Sequence, residues 1–377
     1  MGVSANNSEG SLLKELEINT HINNKSRIVR ALNFAKKSHH GQRRKSGNPY
    51  VYHPIETARL LNKWKQDEES IIAGLLHDVI EDTSYTENDI NKMFGKNITN
   101  LVKGVTKVSK VDFRGNKQEE LATNLKKMFL AMSNDLRVIV IKLADRLHNM
   151  KTVHHLPEKR KLRVCEETKN LYAPLANKMG MNEIYGDLCE LCFKNKETKS
   201  FKWVKDYALS EMDKREKIIK RINKELKTVF ERESVNLIET DTRRKNWYSL
   251  YSKLHRKEIN KELDEVYDLV ITCVVVPRKR DCYTALGIIH ENYKPIPNIG
   301  ISDFIAQPKP NGYQALHTRV FDKKSGTIFE IQIRDKKMHQ RADFGLAAHL
   351  AQKQESSKRL EKLRYWTKKL IEWQEKF

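Results

Sequence analysis

Apolar positions in the first half of the chain recur every three or four residues, the spacing of one helix face. Ile28, Ala31, Leu32 and Ala35 form one stripe, and Gly41 lies where its helix should stop. Ile55, Ala58, Leu61 and Trp64 form a second, with Pro54 suited to the opening turn. Ile71, Ile72, Leu75, Leu76, Val79 and Ile80 are so nearly continuous that they predict an interior helix, running on through Glu81 and Asp82. A fourth helix is expected over Ile139, Val140, Leu143 and Leu147. Further helices follow from Leu162 to Leu191 around Pro174, then a strongly charged one over roughly 205–232.

Beyond that helix the period changes to two. Tyr267 to Val276 is rich in Val, Ile and Thr and predicts a strand. Thr327 to Arg334 alternates, with Phe329, Ile331 and Ile333 on one face and Glu330, Gln332 and Arg334 on the other. Taken without other information, this second run reads as an amphipathic edge strand. Pro295, Pro297, Pro308 and Pro310 break the intervening chain into loops, and helical periodicity returns from about 336. The pattern predicts a multidomain chain: an all-α domain over 1–157, a helical connector over 158–204, an α+β domain over 205–348 and a C-terminal helix over 349–377.

Composition narrows the picture. A length of 377 residues suffices for two cores, and 39% hydrophobic with 32% charged residues suits globular folding rather than disorder. No apolar run is long enough to span a bilayer, and the first residues lack the basic and apolar regions of a secretory signal. Gly2 faintly suggests myristoylation, but Asn6 stands where Ser or Thr is needed. Five cysteines in helical or strand-like apolar contexts fit a reduced, cytoplasmic protein. Cys189 and Cys192 have CxxC spacing without a second pair, so they read as one helix face. A net charge of +22 implies an anionic partner without choosing between nucleic acid and a small polyphosphate. The basic runs at 159–163 and 214–221 read as solvated helix faces.

Candidate chemistry lies inside the apolar helices. His77 and Asp78 interrupt one of the most hydrophobic stretches of the chain, and Asp145 sits within Val138 to Leu147. An unpaired carboxylate buried there would cost several kcal/mol, so a compensating cation is expected. With His53, these residues give two imidazoles and two carboxylates, a set suited to manganese or a similar divalent ion that binds phosphate and activates water. Glu81 and Asp82, one turn beyond, are placed to position or deprotonate that water. The basic loop before His53 supplies Arg44, Lys45 and Ser46 for phosphate or base contacts.

The stretches GQRRKSGNPYVYHP, AGLLHDVIEDT, GVTKVSK, IKLADRLHNMKT and LYAPLANKMG resemble the RelA/SpoT homologue family, long enzymes that make and destroy (p)ppGpp. The resemblance runs from about residue 28 to about 352. It implies an HD-type hydrolase domain that uses Mn²⁺ to release pyrophosphate from the nucleotide 3′ position. By position, His53, His77, Asp78 and Asp145 would hold the metal and Glu81 and Asp82 would serve the attacking water. Arg44, Lys45, Ser46, Asn149 and Thr152 would line the nucleotide pocket. Lys151 and Asn48 stand where the family usually has Arg and Glu.

The resemblance further implies a nucleotidyltransferase-like synthetase domain that uses Mg²⁺ to transfer pyrophosphate from ATP to GDP or GTP. Arg243 and Lys245 would bind phosphate, Asp268 the metal, and Glu330 would activate the acceptor hydroxyl. Tyr313 would stack on guanine, with Lys309, Asn311 and His317 nearby. Three departures point to a weak or inactive synthetase. Cys273 occupies the place of an arginine expected to stack on adenine, Thr242 replaces a glycine, and Ser302 removes a lysine from a charged loop motif. The expected partners are therefore ppGpp, pppGpp, GDP and GTP, with ATP in question.

Three other readings stand beside this one: an ordinary bifunctional enzyme, a different HD phosphohydrolase, and a basic RNA- or ribosome-binding module. The last lacks any zinc knuckle, RNP-like aromatic motif or KH-type glycine loop and leaves the buried His/Asp set unexplained. With no ribosome-reading domain after Phe377, the sequence reads as a catalytic fragment or a short family member, and no ribosome contact is inferred.

Overall fold

The computed structural model describes residues 5–18, 22, 24–109, 135–256, 262–297 and 300–345. The expected C-terminal helix over 349–377 lies outside them. Contacts divide the described chain into two units, one up to Lys178 and one from Met179 to Gly345. The stretch 158–204, expected as a connector, contributes helices to both.

The first unit is all helical: α1 (Ala5–Ile18), α2 (Lys25–Ser38), α3 (Tyr52–Lys63), α4 (Glu68–Leu76), α5 (Val79–Asp82), α6 (Glu87–Phe94), α7 (Lys96–Ser109), α8 (Arg137–Lys151), α9 (Glu158–Glu167) and α10 (Ala173–Lys178). The four predicted stripes lie in its core, apart from half-buried Ile80, and Ile28, Ala58, Leu61, Ile72, Leu75 and Leu143 are fully buried. Burial of each large side chain contributes roughly 1.5–3 kcal/mol. Helix α3 packs on α4 and α8. The α3–α4 approach is closest at Gly74, where a Cβ would lie 2.4 Å from Leu61 Cδ1. Asp67 caps α4 by accepting from the Ser70 amide at 2.9 Å. Arg137, at the start of α8, bonds Asp67, Glu69 and Asp135 and so pins α8 to the head of α4.

One expectation needs correction. The helix predicted over 71–82 is not continuous: α4 ends at Leu76, His77 and Asp78 form a turn, and α5 restarts at Val79. Both turn residues keep right-handed backbone angles, so the chain hardly changes direction. Between α9 and α10 the residues Thr168–Tyr172 form one π-helical turn.

The second unit is α+β, as the change of period implies. It contains α11 (Asn182–Lys196), α12 (Thr198–Arg232), β1 (Glu239–Arg244), α13 (Trp247–Leu254), β2 (Val270–Val276), α14 (Lys279–Asn292), β3 (Lys294–Pro295), β4 (Ile301–Asp303), β5 (Leu316–Asp322), β6 (Thr327–Asp335) and α15 (Lys336–Phe344). The sheet runs β1-β2-β6-β5-β3, with β4 also on β5, and is mixed because β2 and β6 are parallel. Every residue of β2 is buried. Two boundaries shift: the charged helix begins at Thr198 rather than near 205, and the strand expected from Tyr267 starts at Val270. The alternating 327–335 segment is central, not an edge, with β2 on one side and β5 on the other. Helix α12 is tied to the sheet by Asn223, which bonds Thr242 on β1 and Thr272 on β2. Gly180 and Gly345 touch backbone to backbone; with φ of 71° and 53°, both favour glycine.

Among the described residues no helix is long and apolar enough to cross a membrane. The five cysteines are free and buried.

Candidate functional site

The HD turn is the centre of the first site. His53 enters from α3, His77 and Asp78 from the turn, and Asp145 from α8. His53 Nε2 lies 3.2 Å from His77 Nε2, 3.1 Å from Asp145 Oδ1 and 3.5 Å from Asp78 Oδ2. His77 Nε2 lies 3.2 Å from Asp78 Oδ1 and 3.8 Å from Asp145 Oδ1. Both imidazoles are 1% exposed and Asp145 is 4% exposed.

Two facing ring nitrogens and two carboxylates form a donor set that fits a divalent cation. The surrounding bonds support that fit. His77 Nδ1 lies 2.8 Å from the Gly74 carbonyl, which can only accept, so Nδ1 carries a proton and Nε2 is the nitrogen that faces the cluster. Asp145 accepts from Lys142 Nζ at 2.6 Å and from Asn149 Nδ2 at 2.5 Å. Lys142 is itself buried in α8.

The two imidazoles of the cluster respond differently to their surroundings. Burial disfavours charge on both imidazoles. It wins at His53, whose pKa falls below the usual value despite Asp145 and Asp78. At His77 the carboxylates of Asp78 and Asp145 outweigh burial and push the ring up to about 9. Asp145 is held well below the carboxylate range: burial opposes, but Lys142, His53 and His77 outweigh it. Burial therefore prevails at one ring and the carboxylates at the other.

Of the four cluster residues, Asp145 reaches the wall of a cavity of about 1190 Å³. Arg44, Lys45, Ser46, Asp82, Asn149 and Thr152 line it too. A small hairpin presents Arg44, Lys45 and Ser46: the Arg44 amide bonds the Asn48 carbonyl at 2.9 Å, and Gly47 turns the chain at φ 82°. Arg44 Nη2 reaches Asn149 Oδ1 at 2.8 Å, joining the loop to α8. Glu81 is absent from the cavity lining and opens to solvent. Partial desolvation raises its carboxyl above the usual range, with Lys142 opposing and Asp78 and Asp82 adding.

Several residues that sequence reasoning left without a role join this site. The Tyr50 hydroxyl bridges Asp82 Oδ2 at 2.5 Å and Asp78 Oδ2 at 3.0 Å, and its ring stacks on His39. His148 touches His53, their Nδ1 atoms 2.7 Å apart. Lys159, Arg160 and Arg163 of α9 face the same cavity, although the sequence read their run as a solvated face. Arg146 also lines it, with its guanidinium 4.0 Å from the centre of the Tyr172 ring. Lys142, which also lines the cavity, carried a signal, being a charge inside an apolar run just as Asp145 is.

The second group of candidates lies in the α+β unit, and each one already has a protein partner. Asp268 receives Lys245 Nζ at 2.6 Å and Lys253 Nζ at 2.7 Å. Burial opposes its ionisation, but these two lysines pull its carboxyl down to about 2. Arg243 forks onto Asp343 at 2.6 and 3.0 Å and also bonds Asp241 at 2.6 Å. Glu330 lies 3.1 Å from His317 Nδ1 and accepts from Gln332 at 2.9 Å. The Tyr313 hydroxyl meets His317 Nε2 at 2.7 Å and Arg334 Nη2 at 2.7 Å. Lys309 sits 5.1 Å from the Tyr313 ring centre, and Asn311 Nδ2 donates to Asn182 Oδ1 at 3.0 Å. Cys273, fully buried on β2, pairs in register with Asp241 and Gln332, its sulfur 3.8 Å from His339 Nδ1.

A helical unit with a His/Asp cluster, joined in sequence to an α+β unit with an acid- and cation-lined sheet face, defines a two-domain nucleotide-enzyme architecture. The HD domain is matched over residues 31–182, and the region found in RelA/SpoT proteins over 242–357. The chain belongs to the RelA/SpoT homologue family. It is 40% identical over 353 residues to a GTP pyrophosphokinase of Myxococcus xanthus, covering 92% of this chain and 46% of that protein. It is 37% identical over 371 residues to a guanosine-3′,5′-bis(diphosphate) 3′-pyrophosphohydrolase of Aquifex aeolicus, covering 97% and 51%. It is 38% identical over 365 residues to a GTP pyrophosphokinase of Streptomyces coelicolor, covering 92% and 42%. The chain thus spans about half the length of these relatives.

Proposed function

We propose that the chain is a (p)ppGpp 3′-pyrophosphohydrolase of the stringent response, converting ppGpp or pppGpp to GDP or GTP plus pyrophosphate. The observation that carries this is the convergence of His53, His77, Asp78 and Asp145, the last of which also lines a cavity shared with Arg44, Lys45, Asn149 and Thr152. The four residues would hold Mn²⁺. When bound, the metal supplies Lewis acidity toward a phosphate oxygen and toward water.

The remaining steps belong to the protein. Arg44 and Lys45 hold phosphate charge and Asn149 and Thr152 contact the nucleoside, so the 3′ pyrophosphate faces the cluster. Asp82, on the cavity wall, takes the proton of the attacking water, and Tyr50 keeps that carboxylate in place. Glu81, exposed and outside the cavity lining, is given no part in that step. The relative named as a pyrophosphohydrolase supports this reading, and a cytoplasmic location accompanies it.

The second unit is proposed as a synthetase domain of low or no activity. Cys273 offers neither charge nor a flat surface for adenine, and Asp268, the Mg²⁺ candidate, is engaged by two lysines. Guanine-nucleotide binding through Tyr313, Lys309, Asn311 and His317 is retained in this reading, and ATP binding is impaired. Full bifunctionality is favoured instead by the relatives named GTP pyrophosphokinase and by the presence of Arg243, Lys245, Asp268 and Glu330.

The test is product analysis of two reactions: ppGpp with Mn²⁺, and GDP with ATP and Mg²⁺. Release of GDP in the first with no ppGpp in the second supports the proposal. Robust synthesis in the second makes the protein bifunctional, and intact ppGpp in the first removes the hydrolase reading.

A further inference from the structure

The two histidines of the HD cluster are oriented in different ways. His77 is held by a backbone carbonyl, Gly74 O, at 2.8 Å. At His53 the corresponding partner is a side chain. Its Nδ1 lies 2.7 Å from Nδ1 of His148, with ring centres 4.9 Å apart and both rings buried. Two imidazole nitrogens that close share a single proton, so one donates and the other accepts.

The other side of the ring decides which one donates. His53 Nε2 points at His77 Nε2, Asp78 and Asp145, where a ligand must present a lone pair. The His53 proton therefore sits on Nδ1, and His148 Nδ1 is the acceptor. We propose that His148 is a positioning residue of the metal centre, fixing the tautomer and ring angle of His53 by accepting its Nδ1 proton. This rests on the reading of His53, His77, Asp78 and Asp145 as metal ligands.

The placement on the chain supports the role. His148 lies three residues after Asp145 on α8, so both project from one helix face. Asn149, next in sequence, bonds Asp145 Oδ1 and Arg44. One rigid helix thus provides a ligand, the support for that ligand and the acceptor for the ligand from α3. A neutral imidazole also suits the charge balance, since Asp78 and Asp145 already match the two charges of a divalent cation. A carboxylate at this position would strengthen His53 as a donor.

The experiment titrates Mn²⁺ into the full chain and reads the free-ion signal by electron paramagnetic resonance. His148→Asn places an amide oxygen near the Nδ1 position and should bind within ~3-fold of the parent. His148→Leu leaves the His53 N–H unpaired and should weaken binding by ~10–100-fold. His148→Asp should bind more tightly than His148→Asn. A folded Leu variant with parental affinity, or Asn and Leu variants weakened equally, overturns the proposal. Should the Leu variant fail to fold, the Asp and Asn pair decides: Asp no tighter than Asn overturns it. His53→Ala is the control. If it loses Mn²⁺ while His148→Leu does not, only the role of His148 fails; if it keeps parental affinity, the ligand reading fails as well.

Discussion

The two candidate sites hold similar inventories of charge and differ in how that charge is met. In the helical unit Lys142 meets one oxygen of Asp145, yet two imidazoles and two carboxylates still converge at 3.1–3.8 Å, an arrangement that fits an added cation. In the α+β unit, Asp268, Glu330 and Arg243 are each matched by neighbouring side chains. A buried charge that its neighbours satisfy needs no ligand, whereas converging donors gain by taking one. The contrast explains why the first set reads as a metal centre from geometry alone, while the second depends on family resemblance.

The sharpest way to break this contrast is Asp78→Ala. It should abolish ppGpp hydrolysis, by ~10³-fold or more, together with Mn²⁺ binding, as read by nucleotide chromatography and metal content. Parental activity in that variant would remove the distinction between the sites. Next in size is Asp82→Asn, which keeps all four proposed ligands. Its kcat should fall by ~10²–10³-fold with Mn²⁺ affinity held, and a change confined to KM would move Asp82 from proton transfer to binding. In the second unit, Cys273→Arg should raise ppGpp synthesis from GDP and ATP by ~10-fold, chiefly through a lower KM for ATP. Unchanged synthesis would place the defect elsewhere, at Thr242 or Ser302.

The smallest effect concerns Asp268. Its pKa is lowered in the fold, so its ion pairs stabilise above the ordinary carboxylate pKa and are lost as pH falls toward about 2. Asp268→Asn should lower stability near neutrality by about 1–2 kcal/mol and flatten the pH dependence between about 4 and 2, measured by urea denaturation. A parental pH profile would show that the two lysines do not hold this carboxylate.

Much of this was legible because burial leaves a period in the sequence. The stripes of α2, α3, α4 and α8 and the alternation of β6 named their own inner faces, and His77-Asp78 stood out as polar within apolar surroundings. The break at Leu76 was not legible, because His77 and Asp78 keep helical backbone angles and only the hydrogen-bond ladder is interrupted. The central place of β6 was hidden too. Glu330 and Arg334 are polar yet nearly fully buried, so alternation alone read as an exposed outer face. Tyr50 and His148 were invisible for another reason: their partners lie 28 and 95 residues away, a distance that no local pattern records.

The π-helical turn at Thr168–Tyr172 sets the rotational phase of the helix after it. Each residue of an ordinary helix advances the side-chain direction by about 100°. The wider turn takes up part of that advance and brings Tyr172 under the Arg146 guanidinium on the cavity wall. Deleting one residue, such as Asn170, would let the segment relax into regular α-helix while swinging the aromatic ring away from its cation. The length of this stretch is therefore under a tighter constraint than its composition. A substitution at its exposed position, Asn170, should pass quietly, while a single-codon deletion should be felt at a wall of the cavity.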